Sequence, residues 1–285
     1  MSKGYSPVVK TAQEYYNSDD ADNFYYHVWG GEDIHIGIYE EAGEAIADAS
    51  QRTVAAMASQ CRLDLDPQTR VLDVGAGYGG AARWLARQFG CHVTCLNLSE
   101  AQNERNRRMS AEQGLGEIIE VVDGSFEEIP AADGMFDIAW SQDAILHSGR
   151  RDRVLAEVDR VLKPGGEFIF TDPMQADDCP PGVLQPVLER IHLDSLGSIP
   201  FYRQQARQLG WEELSLFDLT PQLVSHYSRV RQELEQRRAS LGKQVSEAYM
   251  ERMIQGLGHW IDAGKHGYLS WGILHFRKPA PDTVA

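Results

Sequence analysis

Between residues 70 and 172 short apolar runs alternate with longer amphipathic stretches, and each change of period is marked by glycine or a turn residue. Residues 70–74 (RVLDV) form an apolar run closed by glycines, which predicts a buried strand. Residues 79–89 carry apolar positions at helical spacing and stop at Gly90. A β-branched run at 92–96 predicts the second strand, and residues 99–113 a helix ended by Gly114. Further strands are predicted at 118–122 and at 136–140, the latter opened by the turn Asp133-Gly134. The apolar positions Val154, Leu155, Val158, Val161 and Leu162 define a helix over 150–162, stopped by Lys163-Pro164-Gly165-Gly166 ahead of a strand at 167–171. Strand and helix alternating at this pitch imply right-handed crossovers and a parallel sheet.

Outside that stretch the pattern changes. Residues 1–69 hold a tyrosine-rich opening and an alanine-rich helix near 43–60. Prolines break residues 176–212, which read as helices laid over one end of the sheet. Two late strands, 213–219 and 268–277, predict an antiparallel pair closing the far edge of the sheet. Between them Thr220-Pro221 reads as an N-cap and first helical proline opening a helical insertion. The expected fold is α/β: a doubly wound, mostly parallel Rossmann-like sheet with an N-terminal helical lid and a helical lobe. Its parts are a lid (1–69), a cofactor-binding core (70–175), a substrate lobe (176–212) and the last strands with their insertion (213–285).

Composition narrows the function classes. Twenty-seven basic against 42 acidic residues leave a net charge of −15, which argues against a surface that grips nucleic-acid phosphates. No apolar stretch approaches the roughly 20 residues needed to span a bilayer, and the opening MSKGYSPVVK has no signal-like apolar core. The expected address is the cytoplasm, without membrane or nucleic-acid partners, as a monomer or small homo-oligomer. Four cysteines (Cys61, Cys91, Cys95, Cys179) form no CxxC or cysteine–histidine metal spacing, and Cys91 and Cys95 read as small buried thiols.

The sharpest chemical signal is Asp73-Val74-Gly75-Ala76-Gly77-Tyr78-Gly79-Gly80, at a strand-to-helix junction where open α/β sheets bind ligands. Gly75 and Gly77 allow a tight turn and close approach of a ligand to the backbone. Gly75, Gly77 and Gly80 also satisfy the dinucleotide pattern GxGxxG, so an NAD-type oxidoreductase is one alternative. Asp73 favours another use, because a carboxylate there attracts a ligand ammonium and repels a pyrophosphate. With the strands that follow, this DxGxGxG segment resembles class I S-adenosylmethionine-dependent methyltransferases through residue 172.

That resemblance implies S-adenosylmethionine as cofactor, S-adenosylhomocysteine as product and no metal, with a cofactor site built from Asp73, Gly75, Ala76, Gly77 and Gly79. At the second strand's end Asn97 stands where the family commonly has an acid; with Leu98 and Gln102 it implies a ribose contact. Ser99 and Gln102 equally form an S-x-x-Q capping box, and both readings of Gln102 stay open. Gly124, Ser125 and Phe126 look like the adenine segment, and Gln142 and Asp143 lie in the loop passing under the methionine part.

Residues 25–39 (YYHVWGGEDIHIGIY) look like the lid of small-molecule methyltransferases. With 124–130 (GSFEEIP), 140–148 (WSQDAILHS), 171–174 (TDPM) and 196–203 (LGSIPFYR), the pattern is most similar to the sarcosine/dimethylglycine N-methyltransferase family, which makes glycine betaine by successive methylation of an amine. This implies a small amine substrate and an in-line methyl transfer to a neutral nitrogen. His147 is the candidate proton relay, with His35 and Tyr26 beside it as catalytic candidates. Tyr25, Trp29 and Tyr202 offer aromatic faces to an ammonium, Met174 lies in the matching TDPM segment, and Arg203 is the expected carboxylate clamp. Phosphoethanolamine, another amine or an aromatic carbon are alternative acceptors, and a non-catalytic cofactor-binding module is the remaining alternative. The acidic balance accords with a salty cytoplasm.

Overall fold

The computed structural model describes residues 7–191 and 193–280; the N-terminal segment 1–6, part of the signal-peptide reading above, lies outside them. Helices α1 (Pro7–Tyr16) and α2 (Asp19–Phe24) lead into a π-helical turn, Tyr25–Trp29, and then α3 (Ile46–Ala58). The alternating core follows as β1 (Arg70–Val74), α4 (Gly80–Phe89), β2 (His92–Asn97), α5 (Glu100–Glu112), β3 (Ile119–Asp123), β4 (Phe136–Gln142), α6 (Arg151–Val161) and β5 (Leu162–Thr171). Next come β6 (Met174–Gln175), α7 (Gln185–Ile191), α8 (Ile199–Gln208) and β7 (Glu212–Asp218). The long helices α9 (Thr220–Leu241) and α10 (Glu247–Lys265) precede β8 (Leu269–Ser270) and β9 (Gly272–Arg277).

Seven strands form one sheet in the order β3-β2-β1-β4-β5-β9-β7. The first five are parallel, and β9 inserts antiparallel between β5 and β7, as the two late apolar runs predict. The strand order reverses between β1 and β4, which opens a crevice at their carboxyl ends. Helices cover both faces, so β1 is buried along four consecutive residues and β5 along its last six. Two apolar clusters flank the sheet. A third joins α2 and the π turn to α9 and α10 through Phe24, Trp29, Tyr227 and Trp260. No described helix is long and apolar enough to cross a membrane.

Two local readings change. The stretch Lys163-Pro164-Gly165-Gly166 is not a loop between helix and strand. β5 already begins at Leu162, which pairs with Phe136, and the register then jumps so that Ile138 pairs with Glu167. The four residues bulge out of the strand, with Gly165 at φ 80° and Lys163 Nζ bonded to Asp137 Oδ1 at 2.7 Å. Thr220 is not a side-chain cap either. Its hydroxyl accepts the Trp271 N–H at 3.1 Å and fastens α9 to the entry of β9.

Candidate active site

The loop after β1 lies in the crevice with Gly75, Gly77 and Gly79 at φ 81°, 53° and 77°. The Leu96 carbonyl accepts both the Gly75 and the Ala76 N–H, so the loop contributes open space more than free donors. A Cβ on Gly75 would stand 2.3 Å from that of Ala144, and one on Gly79 the same distance from Asn106 Oδ1. These glycines meet the close approaches that only they permit.

A cleft of about 720 Å³, mouth included, opens over this loop. It brings together Gly75, Gly77, Asn97, Leu98, Gln102, Ser125, Phe126, Gln142 and Asp143, and the lid adds Gln13, Tyr16 and Ile34. Ser99 caps α5 by accepting the Gln102 N–H at 3.3 Å, but the reciprocal half of the capping box does not form. The Gln102 carbonyl instead accepts Asn97 Nδ2 at 3.0 Å, which turns both side chains to the cleft. Gln102 Nε2 and Gln142 Nε2 are buried donors without a partner, as a hydroxyl-rich ligand requires.

Ala76 and Asp73 face a recess of about 290 Å³ next to the cleft, with Asp33 and His35 from the lid. Burial pushes the Asp73 carboxyl up to about 7; nearby His35 lowers it and Asp33 raises it. His35 is buried too, which by itself lowers its pKa. The Asp33 carboxylate, 3.4 Å from Nε2, outweighs burial and leaves the imidazole raised. Asp33 also takes the space beside Gly80, where a Cβ would stand 2.1 Å from its Oδ1.

Asp143, expected as a cofactor contact, also joins distant segments of the fold. It is the single described non-glycine residue at positive φ (51°). Its carboxylate accepts the Ile36 N–H at 2.7 Å and the Trp271 indole N–H at 2.8 Å, tying the lid and the β8–β9 junction to the end of β4.

A second cavity of about 740 Å³, mouth included, lies on the other side of a wall made by Tyr16, Ile34, Asp143 and His147, which line both spaces. Its lining is aromatic, with Tyr15, Tyr25, Trp29, Tyr227 and Trp260, and holds one guanidinium, Arg190 of α7. Arg190 Nη2 touches Met253 Sδ at 3.6 Å, while its Nε is buried without a partner. Trp29 Nε1 and Trp260 Nε1 are likewise buried donors without partners. In the shared wall Tyr16 Oη and His147 Nε2 lie 2.9 Å apart. Burial, then Arg151 and Arg190, lowers the His147 pKa to about 4, so its imidazole is neutral at physiological pH.

Four expected substrate-side residues lie elsewhere. Arg203 is at the surface in a fork-like pair with Glu213 at 2.7 Å for both bonds, because α8 packs beside β7 and turns that face outward. Tyr202 is fully buried under the sheet's end and donates to Asp172 Oδ2 at 2.6 Å; Asp172 Oδ1 in turn accepts the Leu146 N–H. Met174 is sealed in the core, since β6 pairs with β8. Tyr26 lies under the Arg105 guanidinium at 4.3 Å and lines neither cavity. Gly124 packs on Leu96 and Pro130 beside the cleft. Residue patterning passes over Arg190, Tyr15, Tyr16, Tyr227 and Trp260. A lone arginine in the short amphipathic segment 185–191 and the Tyr15-Tyr16 pair were their faint sequence signals.

The family model described as "Methyltransferase domain" matches residues 72–170. The chain is 59% identical over 270 residues to the sarcosine/dimethylglycine N-methyltransferase of Halorhodospira halochloris, covering 95% of this chain and 96% of that protein. It is 58% identical to the enzyme of that name from Aphanothece halophytica, covering 95% and 98%. A solved structure from Galdieria sulphuraria, described as a sarcosine dimethylglycine methyltransferase, superposes with a TM-score of 0.88 at 45% identity, covering 94% of this chain and all of that one.

Proposed function

The chain belongs to the sarcosine/dimethylglycine N-methyltransferase family, and from that premise we propose that it methylates the nitrogen of sarcosine and dimethylglycine, using S-adenosylmethionine, towards glycine betaine. The carrying observation is the set of unpartnered buried donors, Arg190 Nε, Trp29 Nε1 and Trp260 Nε1, in one aromatic cavity next to the glycine-loop cleft. An amino-acid carboxylate satisfies such donors, and the surrounding π faces suit the quaternary ammonium that methylation of a tertiary amine forms at the other end of the same small molecule. A phosphobase carries two charges on its phosphate and asks for more than the single guanidinium this lining offers.

The cofactor's residues fit by the same test. Asn97 and Gln102 supply a donor–acceptor pair for a ribose diol, Ser125 and Phe126 an edge and a face for adenine, and Asp73 a carboxylate for an ammonium. When bound, S-adenosylmethionine supplies a methyl group already activated by its sulfonium charge.

The chain's own contribution is positioning and desolvation. Arg190 anchors the acceptor carboxylate, which aims the nitrogen at the shared wall. The guanidinium and the loss of water around the N–H groups both disfavour the protonated acceptor before transfer, so it reacts as the free amine. His147, already neutral, is unsuited to hold the amine's proton near pH 7 and serves instead to orient the Tyr16 hydroxyl across 2.9 Å. Assays with labelled S-adenosylmethionine and glycine, sarcosine, dimethylglycine and phosphoethanolamine in parallel test the reading. Label is expected in the products of sarcosine and dimethylglycine; label in the phosphobase product alone, or in none, rejects it.

A further inference from the structure

Gly256 lies in the interior of the 19-residue helix α10, buried, and no turn or positive φ explains a glycine there. A helix-interior glycine is unfavourable relative to alanine, so the position asks for a packing reason. That reason is Arg190. A Cβ built on Gly256 stands 2.1 Å from Arg190 Cδ and 2.6 Å from Nε, contacts that no small adjustment relieves. The arginine stem crosses α10 at this point. One turn before it, Met253 Sδ meets the guanidinium, and one turn beyond it Trp260 lines the cavity.

We propose that Gly256 is a positioning residue for acceptor recognition: the missing side chain is the notch through which Arg190 reaches the acceptor cavity. The proposal rests on Arg190 binding the acceptor carboxylate. With a methyl group in the notch, the stem must leave its present path and carry its Nε and guanidinium out of register with the two indole donors. Displacement of a positioning group by an ångström costs on the order of a hundredfold in rate.

Two substitutions, Gly256→Ala and Arg190→Ala, separately and together in the full-length protein, test it. Gly256→Ala is expected to raise the KM for sarcosine and dimethylglycine at least about tenfold, with S-adenosylhomocysteine affinity by calorimetry unchanged. In the Arg190→Ala background the same glycine substitution is expected to add no KM penalty and to raise Tm, since the colliding stem is gone and alanine favours the helix. If Gly256→Ala alone does not fold, a folded double variant supports the notch and an unfolded one overturns it. An unchanged acceptor KM in folded Gly256→Ala, or equal penalties in both backgrounds, also overturns it. An acceptor KM untouched by Arg190→Ala would instead reject the carboxylate reading itself, while the Tm comparison would still report on the notch.

Discussion

Two cavities share one wall and are built on opposite principles. The cleft over the glycine loop is made by strand ends in sequence order, and its recess gathers the carboxyl groups Asp33 and Asp73. The aromatic cavity is made by α1, the π turn, α7, α9 and α10, from Thr11 to Trp260 along the chain, around one guanidinium. In the proposed reading, the carboxyl groups of the recess meet an ammonium of the cofactor and the guanidinium of the aromatic cavity meets the acceptor carboxylate. The difference teaches how two ligands could be sorted by the groups deepest in each space, while Tyr16, Ile34, Asp143 and His147 line both cavities between them.

The hardest blow to one side alone is Gly75→Ala. Its Cβ would overlap Ala144 at a φ that disfavours side chains, so S-adenosylhomocysteine affinity by calorimetry is expected to fall by about a hundredfold or more. On the other side, Arg190→Met is expected to raise acceptor KM about a hundredfold with cofactor affinity kept; steady-state kinetics against both ligands checks it. If either variant weakens both ligands equally, the two-cavity division fails.

A third variant sharpens the comparison by striking a buried charge that belongs to neither cavity. Glu167, midway along β5, holds His275 Nε2, Arg277 Nη2 and the Arg62 N–H, each at 2.9 Å. It is buried, which alone would raise its pKa, yet these partners lower it to about 2. A carboxylate depressed in the folded state stabilises above its unfolded pKa of about 4.5 and loses that contribution as pH falls towards 2. Glu167→Gln is expected to cost about 3 kcal/mol in urea unfolding at pH 7, with the gap to the parent narrowing below pH 4.5. Both KM values should stay in place.

Smaller effects concern pH. Asp73 is raised to about 7, so between about pH 4 and 7 the folded, unliganded protein holds a proton that the unfolded chain has released. An ammonium ligand favours the ionised form, so cofactor affinity should rise with pH up to about 7 and then level. Calorimetry in buffers of different ionisation enthalpy should find proton release that Asp73→Asn removes. The smallest effect is at His147. With its pKa down at about 4, kcat should show no inflection near 6.5 assignable to it, and His147→Gln should lower kcat only several-fold.

How far the chain could be read without its structure varies from residue to residue. Asn97 and Gln102 were legible as a pair, five apart at the end of a strand, but the choice between capping and ribose contact was not. The hydrogen bond from Asn97 Nδ2 to Gln102 Oε1 turns both to the cleft. Arg203 matched its family segment, yet α8 packs so that Glu213 of β7 takes its fork. Tyr202, one residue away, is spent on Asp172.

The sequence by itself determined the alternation of strands and helices, the glycine loop and the order of the segments that line the cleft. These rest on local rules: periodicity of apolar positions, backbone freedom at glycine, and functional loops that follow consecutive strands. The tertiary structure alone decided which cation enters the aromatic cavity and which tyrosines and tryptophans surround it. Those depend on how α7 crosses α10 and how the lid packs on α9 and α10. Burial and close contact between distant segments set them, as in the approach of the Arg190 stem to Gly256.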